Sequence, residues 1–239
     1  MTPPLLTLQG LRFAWPGSAS DCLDIADFHL VAGETVFLHG PSGSGKSTLL
    51  SLLAGVLLPQ AGDVALQGIS WGSLRPSRRD RYRVDHLGYI FQQFNLLPYL
   101  TALDNVLLPC RFSTQRREAA LRHAGSPRAA AEHWLKGMEL DSSSWQRPAH
   151  TLSVGQQQRV AAARALIGQP DLIIADEPTS ALDEDRREVF LDLLMSACAS
   201  GGTALVFVSH DQRISRRFDR QVSLPSLNRA AHPENGTTA

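Results

Sequence analysis

The sequence has little lysine, little cysteine, few aromatic residues and no excess of either charge. Its 239 residues include 23 basic and 23 acidic side chains, so the large basic surplus of a dedicated nucleic-acid binder is missing and no nucleic-acid partner is expected. The three cysteines, Cys22, Cys110 and Cys198, lie far apart and form no C-x-x-C spacing. A disulfide framework or a zinc cage is therefore not expected, and a reducing cytosol is the default compartment.

A long hydrophobic run is also missing. The longest nearly apolar stretch, residues 49–58, is interrupted by Ser51 and Gly55 and is far shorter than the ~20 residues of a membrane-spanning helix. Residues 1–11 lack the basic and apolar regions of a signal peptide. If the protein acts at a membrane, another polypeptide is expected to supply the spans.

Short apolar segments alternate with helical patterns along the chain, which is typical of an α/β fold with a parallel sheet covered by helices. Continuous apolar runs at residues 171–175 and 203–209 suit strands that are buried on both faces. A further strand is predicted at residues 34–39, and strands at 5–13 and 62–69 predict a smaller β layer. Helices are predicted at residues 46–58, 115–124, 127–138 and 157–167.

We expect one domain over residues 1–224. Its core is assigned to residues 1–92 and 154–224, and a helical lobe without a convincing strand is assigned to residues 93–153. Residues 225–239 are rich in Ser, Asn, Pro, Gly and Thr, and they predict a disordered tail.

Five arginines cluster in one short segment: Arg75, Arg78, Arg79, Arg81 and Arg83. Such a cluster is either a patch for nucleic acid or lipid headgroups or the solvated face of a helix. The neutral total charge favours the solvated helix face.

Residues 40–47, G-P-S-G-S-G-K-S, fit the phosphate-binding pattern G-x-x-x-x-G-K-[ST] between a predicted strand and a predicted helix. The glycines let backbone N–H groups turn toward phosphate oxygens, and the helix N-terminus adds partial positive charge. Lys46, one of only two lysines in the chain, is expected to reach the β- and γ-phosphates, and Ser47 to give an oxygen to Mg²⁺. The residues expected to bind ATP here are Gly40, Pro41, Ser42, Gly43, Ser44, Gly45, Lys46, Ser47 and Thr48.

Two carboxylates end the apolar run at residues 171–175. Asp176 at the carboxyl edge of the sheet is expected to hold Mg²⁺ through water. Glu177 is expected to polarise the water that attacks the γ-phosphate, as a general base.

Further motifs narrow the class of nucleotide-binding protein. The run L-S-V-G-Q at residues 152–156 resembles the signature L-S-G-G-Q of ATP-binding-cassette ATPases, and D-E-P-T-S-A-L-D at 176–183 resembles the Walker B motif and D-loop of that family. Gln92 after G-Y-I-F matches its Q-loop, and His210 in V-S-H-D matches its switch histidine. The resemblance covers about residues 5–224. It implies a P-loop NTPase with a RecA-like parallel core, a small antiparallel β layer and an inserted helical lobe.

The resemblance also implies a role for each matched residue. Gln92 would ligate Mg²⁺ and the attacking water, His210 would bond the γ-phosphate, and Trp15 would stack on adenine. The residues implied to contact the nucleotide from the signature and the D-loop are Ser153, Gly155, Gln156 and Asp183. Val154 departs from the usual glycine of the signature, and an ordinary negative φ is expected there.

The segment from Leu87 to Val106 resembles the ATPases of the lipoprotein-release, macrolide-export and cell-division type. This implies an ATP-dependent dimer of two copies that drives a separate membrane permease from the cytoplasmic face, either for export or, in the cell-division type, mechanically without transport. A repair or translation ATPase is disfavoured, because neither coiled-coil arms nor a second cassette are present. We expect Phe94 and Tyr99 to dock a helix of the permease, whereas Leu96 and Leu100 are either buried or exposed.

Overall fold

The computed structural model describes residues 3–18, 20–180 and 182–231. The strands, in chain order, are β1 Pro4–Phe13, β2 Leu23–Val31, β3 Thr35–His39, β4 Ala61–Leu66, β5 Ile69–Ser70, β6 Leu87–Ile90, β7 Leu172–Asp176, β8 Ala204–Val208 and β9 Arg220–Ser223. The helices are α1 Lys46–Leu53, α2 Pro76–His86, α3 Ala102–Phe112, α4 Thr114–Ala124, α5 Pro127–Gly137, α6 Val154–Leu166, α7 Glu184–Gly201 and the short α8 Leu224–Leu227. None of the helices in these ranges is both long and apolar enough to cross a membrane.

The strands form two sheets. Five strands pair in parallel in the order β6-β7-β8-β3-β9, and four strands form an antiparallel layer in the order β2-β1-β4-β5. The α/β class with a parallel core and a small antiparallel layer is therefore confirmed. Strand β8 is buried along its whole length, as its unbroken apolar sequence predicts for a strand covered on both faces.

The parallel sheet separates two hydrophobic cores. Side chains alternate between the faces of a strand, so Phe37 and Phe207 join the core beneath the helical lobe, while Leu38 and Val208 join the core beneath the antiparallel layer. This alternation makes the parallel sheet the common wall of both cores.

In the helical lobe, α3 and α5 pack against α6, and α4 packs against α3 and α5. Asn105 in α3 is fully buried, and its four hydrogen bonds fix the segment of chain that leads into the lobe. Its Oδ1 accepts from the N–H of Leu97 at 2.8 Å, and its Nδ2 donates to the carbonyls of Leu97, Leu100 and Thr101. A buried amide satisfied in this way holds an irregular segment in one conformation.

The structure corrects three expectations about local structure. The helix predicted at 46–58 ends at Leu53, because Gly55 adopts φ 65° and turns the chain against the ring of Trp71. The strand predicted at 62–69 is a hairpin, since Gln67 and Gly68 both have positive φ and reverse the chain between β4 and β5. Such a turn is typical of two-residue hairpin loops.

The third correction concerns the tail. Residues 225–231, expected to be disordered, contain most of α8 and a 3-10 turn. Asn228 is buried; its Oδ1 accepts from the N–H of Asp24 at 2.8 Å and its Nδ2 donates to the carbonyl of Cys22 at 3.0 Å. These bonds explain why a polar, apparently unstructured segment is ordered. Residues 232–239 of the expected tail lie outside the described residues.

The close approach of Gly55 to Trp71 leads to a test. A Cβ on Gly55 would lie 2.5 Å from the Trp71 ring, whereas a Cβ on Gly125, which also has positive φ, would meet nothing within 4 Å. We expect Gly125→Ala to cost about 1 kcal/mol of unfolding free energy from the left-handed backbone alone, and Gly55→Ala about 1–3 kcal/mol more from overpacking. Urea unfolding of both variants measures the difference. Equal losses of unfolding free energy in the two variants would show that the Trp71 ring moves aside without cost.

Candidate functional site

The loop between β3 and α1 forms a cradle of backbone amides. Gly43 and Gly45 have φ of 79° and 95°, a region that side-chain-bearing residues rarely enter. Gly45 caps α1 without a side-chain acceptor, so amides of the first helical turn stay free to bond an anion. A Cβ on Gly45 would also come within 2.9 Å of Leu23. Both backbone conformation and space therefore require glycine here.

Lys46 lies at the base of this loop with only 7% of its surface exposed. Its Nζ donates to the carbonyls of Gly40 and Pro41, both at 3.0 Å. Among the described residues it forms no ion pair with a carboxylate. A buried ammonium held only by carbonyl groups favours an anionic ligand beside it.

The hydroxyl of Ser44 is buried and has no hydrogen-bond partner among the described residues. Buried polar atoms are almost always bonded in native proteins. The unbonded hydroxyl of Ser44 is therefore a candidate partner for a ligand oxygen.

Asp176 ends β7 next to Ser47 and Lys46. Burial raises the pKa of its carboxyl above the ordinary value, and the nearby charge of Glu177 adds to the rise, whereas the Ser47 side chain and the charge of Lys46 oppose it. Hydroxyl and carboxylate oxygens are the donors that Mg²⁺ prefers. The donor set of Ser47 and Asp176 thus fits the ion that the sequence predicts.

Glu177 and His210 meet at the carboxyl edge of the sheet. His210 Nε2 lies 2.6 Å from Glu177 Oε1. Glu177 has φ 47°, and its N–H donates to the carbonyl of Val208 at 3.0 Å. A positive φ on glutamate is uncommon and costs free energy, and here it directs the carboxylate toward the phosphate-binding loop.

Lys46 and Ser47 of the phosphate-binding loop line one cavity of about 480 Å³ together with Glu177 and His210. Its lining consists of Trp15, Cys22, Ser42, Gly43, Gly45, Lys46, Ser47, Thr48, Glu177 and His210. Trp15 is 48% exposed at the cavity and contacts Phe13 edge-on, so its ring face is accessible for stacking. The sequence analysis missed Cys22, whose Sγ lies 3.9 Å from Thr48 Oγ1, because a lone cysteine before a strand belongs to no motif.

The residues of L-S-V-G-Q do not line this cavity. Ser153 caps α6, accepting from the N–H of Gln156, while Gln156 Oε1 accepts from the N–H of Ser153 at 2.9 Å. Val154 begins α6 without a positive φ, so its β-branched side chain is unstrained. Gly155 has open space where a Cβ would stand. Ser153, Gly155 and Gln156 line a second cavity of about 400 Å³ together with Arg159 and Arg186.

Besides the signature residues, two more predicted residues outside the phosphate-binding loop, Gln92 and Asp183, are not brought to its cavity within one copy of the chain. Gln92 is exposed just after β6. Asp183 caps α7, accepting from the N–H of Arg186 at 2.9 Å. Neither is among the residues that line the cavity, so their roles stay predictions.

Arg187 connects two segments of the site, and sequence reasoning missed it. Its guanidinium donates to the carbonyl of Leu182 at 3.1 Å and pairs with Asp211, the residue after His210. Hydrogen bonding from Arg213 is the main reason that the pKa of Asp211 falls to about 2, and the charge of Arg187 contributes. On a helix rich in charge, nothing in the sequence distinguishes Arg187 from a solvated arginine.

The parallel sheet and its phosphate-binding loop define a P-loop NTPase, and comparison with known proteins narrows the class. The family model described as ABC transporter matches residues 23–180. The lipoprotein-releasing system ATP-binding protein LolD of Legionella pneumophila (strain Lens) is 38% identical over 94% of this chain and 96% of its own. The uncharacterized ABC transporter ATP-binding protein YbbA of Escherichia coli K12 is 42% identical over 80% of this chain and 81% of its own.

A solved structure agrees. A dimeric post-hydrolysis state of the ATP-binding cassette MJ0796, bound to ADP and Pi, superposes with a TM-score of 0.80 at 34% identity, covering 94% of this chain and 95% of the other. The chain therefore belongs to the ABC transporter family, and the matched region is its ATPase domain.

The raised pKa of Asp176 predicts a pH dependence. Because the folded pKa lies above the unfolded one, the folded state holds the proton longer, and the contribution of Asp176 to the stability of the ligand-free protein falls as pH rises through the carboxyl range. We expect Asp176→Asn to melt above wild type at pH 7, and the two to converge near pH ~3, below the unfolded value of ~3.9. Thermal denaturation from acid to neutral pH measures this, with the exposed Asp27→Asn as control. A lower melting point for Asp176→Asn at pH 7 would contradict it.

Proposed function

We propose that the chain is the ATP-hydrolysing subunit of an ABC transporter, working as a dimer of two copies that encloses two ATP molecules and drives a separate membrane permease. One observation supports the proposed dimer. Lys46, Glu177 and His210 line one cavity, whereas Ser153 and Gln156 line another. If the signature residues contact ATP, as the resemblance implies, they contact ATP bound by the other copy.

The phosphate-binding loop is proposed to hold the triphosphate. Lys46 exchanges its carbonyl contacts for β- and γ-phosphate oxygens, and the Ser44 hydroxyl and the free amides of α1 bond others. Ser47 and Asp176 would hold Mg²⁺, which when bound neutralises charge on the β- and γ-phosphates. Trp15 stacks on the adenine ring, which requires an exposed aromatic face.

Glu177 is proposed as the general base. As the water oxygen bonds the γ-phosphorus, Glu177 takes the water proton, and the bond from that phosphorus to the β–γ bridging oxygen breaks, leaving ADP and phosphate. His210, 2.6 Å from this carboxylate, is proposed to bond the γ-phosphate and so to distinguish ATP from ADP. Arg187, through Asp211, holds the segment that carries His210.

The permease is proposed to dock in an apolar groove between the core and the helical lobe. The groove has a volume of about 500 Å³ and includes the exposed side chains of Val56, Phe91 and Phe112. A continuous exposed apolar surface marks an interaction site. Of the two residues expected to dock the partner, Phe94 is buried in the lobe core and is corrected to a structural residue, whereas Tyr99 is 72% exposed.

Export of lipoproteins or of macrolide-like compounds is the proposed transport activity, on the cytoplasmic face of the membrane. Similarity to the LolD protein along almost the whole of both chains supports the lipoprotein reading. The mechanical alternative of the cell-division type stays a prediction from the sequence alone.

The general-base role is tested with Glu177→Gln. An amide cannot take the proton, so we expect hydrolysis to fall about 100-fold or more while ATP binding persists. With both sites filled and uncleaved, the variant should shift from monomer to dimer on size-exclusion chromatography with Mg²⁺ and ATP.

Two controls accompany this test. Glu118→Gln removes an exposed carboxylate of α4 and should hydrolyse like wild type. Lys46→Ala, which cannot hold the phosphates, should neither hydrolyse nor dimerise. A Glu177→Gln protein that stays monomeric at saturating ATP, or that turns over within tenfold of wild type, would refute the base and the dimer together.

The docking groove is tested with Phe112→Ser. Phe112 is 66% exposed, so the substitution should leave the basal ATPase of the isolated chain within about twofold of wild type. Binding of the detergent-purified permease should weaken about 30-fold, as for other central aromatic contacts, and stimulation by it should be lost. Leu121→Ser, at a 52% exposed apolar side chain of α4 outside the groove, is the control. Unchanged permease binding would place the docking site elsewhere.

A further inference from the structure

Helix α2 and the residue before it, Arg75, carry the arginine cluster, and the proposed function does not use it. None of the residues of α2 is fully buried; Arg75 and Arg78 are exposed, whereas Arg79 is half-buried and its Nε is enclosed. The whole chain has no net charge, so this helix is a local concentration of positive charge. Such a patch attracts anions over about a Debye length, ~8–10 Å at moderate salt.

Ion pairing leaves three of the five arginines uncompensated. Arg83 pairs with Asp80, and Arg81 lies 3.7 Å from Asp85. Arg75, Arg78 and Arg79 form no ion pair within the described part of the chain, although 16 such pairs are found across it. Arg75 and Arg78 are exposed and line one pocket of about 530 Å³, so these two form one cationic surface, here called the arginine edge.

Helix α2 contributes to both the arginine edge and the apolar groove. Arg83 and Val84, from the same helix, line the groove together with Phe91 and Phe112. A partner seated in the groove is itself embedded in the membrane, so the surface beside the groove is the part of this chain nearest to lipid. This orientation rests on the proposed function.

The aromatic content of the helix disfavours nucleic acid. Single strands bind where exposed aromatic rings alternate with cations. The ring of Tyr82 instead packs on Trp71, with centroids 5.6 Å apart, and its hydroxyl donates to the carbonyl of Leu66 at 3.1 Å. The arginine edge offers charge without a stacking surface.

We propose that Arg75 and Arg78 bind the anionic headgroups of membrane lipids beside the docked permease. Guanidinium groups bond phosphate oxygens in a bidentate manner. Each cation near an anionic leaflet strengthens binding about fivefold. The edge thereby adds a lipid-dependent contribution to the attachment of this subunit and selects anionic membranes.

Vesicle sedimentation of the full chain without the permease tests this. We expect binding to vesicles of phosphatidylglycerol and phosphatidylcholine in a one-to-two mixture, and no binding to phosphatidylcholine alone. Raising salt from about 0.1 M to about 1 M shortens the Debye length to ~3 Å and should abolish binding. Arg75→Gln with Arg78→Gln should weaken it about 25-fold, whereas Arg75→Lys with Arg78→Lys should retain most of it.

The matched control removes the same charge elsewhere. Arg122 and Arg216 are also exposed, and neither forms an ion pair among the described residues. Arg122→Gln with Arg216→Gln should bind the anionic vesicles nearly as wild type. The ATPase rate of every variant in solution should equal that of wild type, which shows that each is folded.

The other outcomes overturn the proposal. Equal losses in the test and control variants would indicate a response to total charge alone, and equal binding to both vesicle types would indicate no selectivity for anionic lipid. Lost permease stimulation in phosphatidylcholine without lost vesicle binding would assign the edge to an acidic segment of the permease. Phe112→Ser distinguishes lipid binding by the arginine edge from permease docking in the groove. This variant should bind vesicles normally even if the permease does not dock in the groove.

Discussion

The carboxyl edge of the parallel sheet is the constraint on which the rest of the site depends. Strands β7, β8 and β3 are neighbours, and their register pairs Asp176 with Val208 and Val208 with Leu38. Parallel strands end on the same side, so residues far apart in the sequence meet after these three strands. This strand order alone brings the phosphate-binding loop, the two carboxylates and His210 together.

Several groups at this edge are unfavourable without a ligand. Asp176 is a buried carboxyl with a raised pKa, Glu177 has a strained backbone, and Ser44 has an unbonded hydroxyl. Strain and desolvation of this kind concentrate at functional sites. The two hydrophobic cores on either side of the sheet hold these groups in place, so the site keeps its shape at the expense of local stability.

Sequence reasoning predicted the strands with continuous apolar runs and the motifs that follow them, since burial on both faces and phosphate chemistry leave clear patterns. It did not predict β2 or β9, or the turn at Gly55, whose cause is a ring contributed from 16 residues further on. Phe94 was assigned to the surface because its neighbours form a loop, yet it belongs to the lobe core. Arg187 and Asn228 act through tertiary contacts that no local pattern encodes.

The segment after β9 gives the fold a dependence on the order of synthesis. Strand β3 lies between β8 and β9, and Pro225 stands beside Gly40 at the start of the phosphate-binding loop. Asn228 then bonds both β2, through Asp24, and Cys22, which precedes β2 and lines the cavity. The supports of the loop are therefore synthesised well after the loop itself. A nascent chain that already displays residues 40–47 lacks these supports until residues 220–228 have followed, so the complete nucleotide site forms only then.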